Sequence, residues 1–195
     1  MFLLTHWSRR ALQAVLLALL PVLPVLADDY DDVSALMRSG RMADATVLAD
    51  KYLSNRPQDP QMRFLKGMIQ RETGKQSEAL ATFLALAQEF PELPEPHNNL
   101  AVLYAANNEF DKARASLEMA VRTNPDYATA HENLGDVYAR LAASAYARAQ
   151  QLDGANAALA PKINLIRQVF SGQKPSTPNP PNSPAALSNS TPSAK

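Results

Sequence analysis

The chain has 195 residues, in which 19 Lys and Arg balance 19 Asp and Glu, so no net field draws nucleic acid or an anionic membrane surface to it. It contains no cysteine, which excludes thiol nucleophiles, Cys-ligated metals, disulfides and a lipid-modified N-terminal cysteine. With 46% hydrophobic residues there is material for one modest core, once two ends of different character are set aside.

The N-terminus reads MFLLTHWSRRALQAVLLALLPVLPVLADD: Arg9 and Arg10, an apolar run from Ala11 to Leu26, then Val25-Leu26-Ala27 where a signal peptidase needs small or aliphatic residues. Residues 1–27 are expected to be an export signal cleaved after Ala27. A membrane anchor is the competing reading. Pro21 and Pro24 argue against it, because they interrupt a run already short of the ~20 residues a spanning helix needs. The mature chain is therefore expected in the periplasm without stable membrane insertion.

From residue 28 to 170 one frame recurs every 34 residues: RFLKGMIQ at 63–70, HNNLAVLY at 97–104 and HENLGDVY at 131–138. Within it Leu100, Ala101 and Tyr104 give a first helix one packed face, and Ala113, Leu117 and Ala120 do the same for a second. Gly40, Gly74 and Asn108 share one place between the two helices, where a left-handed residue ends a helix. Pro57, Pro91 and Pro125 close successive units. The fourth unit departs from the frame: Ala142 stands where Gly or Asn is due, and no turn former lies between Ala128 and Leu152. One long helix over about 128–152 is predicted there, followed by a capping helix over about 161–170 whose Ile163, Ile166 and Phe170 cover the end of the stack. Residues 171–195 hold six prolines and almost no large apolar side chain, and are expected to form a disordered Pro/Ser-rich tail.

The period, together with His97, Leu100, Ala101, Tyr104, Phe110, Ala113, Leu117, Ala120 and Pro125 at their spacing, closely resembles the tetratricopeptide repeat (TPR) family, in particular its exported bacterial members. The fold this implies is all-α: a short right-handed superhelix of three to four helical hairpins with a C-terminal cap. The resemblance also implies that the first helices line a concave groove that holds a partner's peptide or helix. Carried over place by place, the groove residues are Tyr30, Ser34, Met37 and Arg38, then Phe64, Met68, Arg71 and Glu72, then Asn98, Val102 and Ala105, and last Glu132, Asp136 and Arg140. The groove is expected to be apolar and basic at its first end and acidic at its last. Phe64 and Met68 have a competing placement, packed beneath the first repeat. Relatives that capture a C-terminal carboxylate use Lys and Asn, but here Phe64, Met68, Val102, Glu132 and Asp136 take those places, which argues against that ligand.

Little in the chain points to chemistry. His97 and His131 with Glu132 would make a metal site only if rings one repeat apart met, whereas neighbouring helices are about 10 Å apart. Glu132 and Asp136 at i, i+4 read as a solvated acidic face. No glycine-rich phosphate loop, serine elbow or HExxH run occurs. No catalytic residue, cofactor or metal is expected, and the chain is not expected to be an enzyme. The function expected is a periplasmic adaptor or scaffold that binds a protein segment in an envelope or cell-wall assembly. The alternative is a glycan- or wall-associated accessory of an envelope enzyme, disfavoured by the groove's few aromatic rings.

Overall fold

The computed structural model describes residues 28–171, so the segment expected to be an export signal, residues 1–27, and residues 172–195 lie outside the described residues. Eight helices and no strand occur in this span: α1 Asp28–Arg38, α2 Met42–Asn55, α3 Pro60–Glu72, α4 Gln76–Glu89, α5 Pro94–Ala106, α6 Phe110–Thr123, α7 Ala128–Leu152 and α8 Leu159–Ser171. The first six form three hairpins, each packed on the next, and the long α7 and returning α8 close the stack. Successive first helices also touch, α1 on α3 and α5 on α7, so they share one face of the solenoid.

The same chain reversal ends each first helix. Gly40, Gly74 and Asn108 have φ of 74°, 77° and 60°. In each case the residue's N–H donates to the carbonyl three back, and the next N–H donates five back: Gly40 to Met37 and Arg41 to Leu36, Gly74 to Arg71 and Lys75 to Gln70, Asn108 to Ala105 and Glu109 to Tyr104. This pair of hydrogen bonds satisfies carbonyls the helix would otherwise leave open, and a left-handed residue is needed to close it. Pro60 and Pro94 begin α3 and α5 at positions where a missing N–H costs nothing. Asp59 caps α3 by accepting from the Met62 N–H at 2.8 Å.

Packing then selects residue size. Phe83, Met62, Leu86, Leu117 and Val33 are fully buried, with Ala45, Ala49, Ala79, Ala113 and Ala120 between them. One core joins the first two hairpins and reaches Leu100 and Leu103 of α5. A second, smaller core joins α5, α6 and the first half of α7. Helix crossing is closest at one frame place. A Cβ added at Gly67 of α3 would sit 2.8 Å from the Phe83 ring of α4. The equivalent residue of α5 is Ala101, 1% exposed. In α7 that place is Gly135, and nothing lies within 4 Å of its Cβ position, because the fourth unit lacks a second helix there. The long helix runs on instead, as Ala142 and the absence of a turn former require, with α8 starting two residues earlier than its proline and including Ser171.

The two glycines make a paired test of this packing. Gly67→Ala is expected to lose about 1–3 kcal/mol by overpacking against Phe83. Gly135→Ala is expected to be neutral or to gain up to about 1 kcal/mol of helix propensity. Urea unfolding of the two variants checks it; equal effects would contradict the assigned contact.

Candidate functional site

Most of the first two repeats' expected groove positions are consumed by the protein's own structure. Met37 and Met68 are only 6% and 7% exposed and belong to the main core. Ser34 is buried as well. Phe64 is half-buried, tilted against Phe83 with ring centroids 5.6 Å apart. The expectation of an open apolar end lined by Phe64 and Met68 is corrected for Met68, which lies in the core, while Phe64 keeps part of its surface and leans on Phe83 of its own hairpin. The physical reason is that the two hairpins share a single core, and α3 turns its apolar residues into it from both flanks.

Tyr30 is similarly engaged. Its hydroxyl donates to Asp59 Oδ2 at 2.6 Å and lies 2.7 Å from the Tyr52 hydroxyl, itself 3.3 Å from the same carboxylate oxygen. Burial, and then the hydrogen bond to Asp59, hold the Tyr30 phenol well above the usual range, so it stays protonated. This network ties α1 and α2 to the cap of α3. Arg71 bridges to the next repeat, donating to Asn99 Oδ1 at 2.6 Å, while also pairing with Glu72. Arg38 is exposed at the end of α1.

The third and fourth repeats are different. A cleft of about 380 Å³ opens between α5, α6, α7 and the end of α8. Val102, Asp136 and Arg140, from the expected set, line it together, with Ala105 beside them. Asn98 is 6% exposed and lies behind the wall, accepting from Asn133 Nδ2 at 2.8 Å; its assignment to the groove surface is corrected accordingly. Glu132 is exposed one turn before Asp136, outside the lining.

Lining residues that frame-based reasoning missed are Ala101, Asn108, Phe110, Leu117, Asn133, Val137 and Phe170. Phe110 and Leu117 come from a second helix, which the groove frame does not count. Phe170 is supplied by α8, which belongs to no repeat. Asn133 carried a signal, since it stands one period after Asn99. The Arg140 guanidinium lies over the Phe170 ring with its carbon 3.9 Å from the centroid, a cation–π contact that pins the end of α8 to the rim. The floor is thus aliphatic and the rim polar, the composition of a surface that holds a side chain and orients a backbone.

The two histidines are far from any shared role. His131 Nε2 is 2.8 Å from the Pro125 carbonyl and its residue is exposed. His97 is half-buried, its Nε2 has no hydrogen-bond partner, and burial holds its pKa below the usual imidazole value. With the folded pKa depressed, neutral His97 is compatible with folding above about pH 6.5, and stability is lost as pH falls below that toward the folded value. His97→Phe is expected to flatten the fall in melting temperature between pH 7 and pH 5 and to raise it at pH 5. An unchanged slope would contradict the burial argument.

Comparison with known proteins agrees with the repeat architecture. A tetratricopeptide repeat family model matches residues 30–94, and a TPR repeat model matches residues 103–141. Over 81 residues the chain is 33% identical to the chloroplastic tetratricopeptide repeat domain-containing protein PYG7 of Arabidopsis thaliana, covering 39% of this chain and 27% of that protein. Over 82 residues it is 34% identical to the TPR repeat-containing thioredoxin TTL4 of the same plant, covering 42% of this chain and 12% of that one. The chain therefore spans about a quarter or less of the length of these curated relatives. Among solved structures, YrrB, a TPR protein with an unusual peptide-binding site, is 25% identical with a TM-score of 0.50, over 53% of this chain and 54% of its own. A thermophilic TPR protein of Thermus thermophilus, TTC0263, is 23% identical with a TM-score of 0.56, over 74% and 81%, a likeness of fold.

Proposed function

The chain belongs to the tetratricopeptide repeat family, and from that premise we propose that it is a periplasmic adaptor that holds a segment of a partner protein in the cleft between its third and fourth repeats. TPR repeats generally serve as non-catalytic scaffolds for protein–protein interaction. The observation that carries the narrower reading is the cleft itself: about 380 Å³ with an aliphatic floor and Asn133, Asp136 and Arg140 at its rim. Such a site buries one or two apolar side chains of a segment and hydrogen-bonds its backbone. YrrB, similar over about half of this chain, is described as having a peptide-binding site, which supports a peptide ligand here. Export rests on Arg9, Arg10 and the apolar run before Ala27, and the envelope or cell-wall setting on that export. A carbohydrate ligand is disfavoured because only two rings, Phe110 and Phe170, line the cleft, and the second is already covered by Arg140.

In-cell photo-crosslinking tests this reading. Crosslinkers placed at Val102 and Asp136 are expected to capture one partner protein, in the soluble periplasmic fraction, on a chain that begins at Asp28. A crosslinker at Val47, 69% exposed on α2, is the control and is expected to capture little. Equal capture at Val47, or capture only in the cytoplasm, would contradict the proposal.

A further inference from the structure

The cleft lies where the chain leaves the fold. α8 returns antiparallel along α7, as the pairings of Lys162 with the Tyr146 ring and of Phe170 with Arg140 show. Its last described residue, Ser171, follows directly on Phe170, and Phe170 is part of the cleft wall. Residues 172–195 therefore start at the rim of the cleft. Because they are tethered there, they compete for it at an effective concentration in the millimolar range, so even weak intrinsic affinity gives substantial occupancy.

The composition of that segment fits the site. Leu187 is its one large aliphatic residue and ends the run Pro184-Ala185-Ala186-Leu187, small and apolar like the floor made by Ala101, Val102, Ala105 and Val137. Its charged side chains, Lys174 and Lys195, are both cationic. Asp136 at the rim and exposed Glu132 one turn away carry the opposite sign, and neither carboxylate has a salt-bridge partner among the described residues. Lys174 is only four residues beyond Phe170 in sequence. A coil of the length from 172 to 184 has its ends about 20 Å apart, ample to double back onto a cleft at its own origin.

We propose that the chain's own C-terminal segment occupies the cleft through Pro184–Leu187, so that a partner must displace it to bind. The inference rests on the reading of this cleft as a segment-binding site, and makes that site self-regulated: deleting the segment would tighten partner capture without adding a contact.

Methyl NMR of the full chain decides it. Leu187→Glu leaves the described fold untouched and is expected to move the Val102 and Val137 methyl resonances by more than a linewidth, with Val33 unmoved as the distant core control. The Val102 and Val137 shifts are expected to be independent of protein concentration. Superimposable spectra would overturn the inference, and shifts that grow with protein concentration would also overturn it, by assigning the cleft to a second copy's segment. If Leu187→Glu changes nothing while crosslinkers at Val102 and Asp136 still capture a partner, self-occupancy fails and the adaptor reading stands. If the methyls move and no partner is ever captured, the adaptor reading fails alone.

Discussion

One helical hairpin has a single apolar stripe and cannot hide it, so each hairpin depends on close approach to the next helix. That approach is set by residue size at one place in the frame. Gly67 admits the ring of Phe83, which is fully buried, and Ala101 does the same service for the third hairpin. The alanines at 45, 79 and 113 repeat the device on the second helices, all at 0% exposure. Where the constraint lapses, so does the hairpin: Gly135 meets nothing, and α7 continues for 25 residues because no left-handed residue stops it.

The repeat architecture was legible because its signals are local. A left-handed turn needs Gly or Asn, and Gly40, Gly74 and Asn108 stand one period apart with positive φ. The missing turn at Ala142 was equally readable, and the long helix follows from it. The groove was less legible, because which face of a helix remains open depends on how far neighbouring hairpins close over it. Met68 and Val102 hold the same frame place, yet Met68 is in the core and Val102 lines a cleft. Sequence spacing assigns them one role; the shared core of the first two hairpins separates them. Phe170 was expected as a cap, and no periodic signal could have put it at the rim as well.

The two halves of the concave face are suited to different work. The N-terminal half is tied together by internal bonds, the Tyr30–Tyr52–Asp59 network and the Arg71–Asn99 bridge. The third and fourth repeats, with a smaller core and no second helix in the last unit, leave space that side chains do not fill. The open space at that end comes from the loss of a hairpin, and any segment that binds there replaces packing the fourth repeat does not supply.

The methionines offer the most direct test that the first half of the face is closed. With ε-methyl groups labelled, a soluble paramagnetic agent should leave Met37, Met62 and Met68 sharp, since they are 6%, 0% and 7% exposed, and broaden Met119, which is 38% exposed on α6. Met37 and Met68 broadening as fast as Met119 would contradict it, and would return the open apolar groove to the first two repeats.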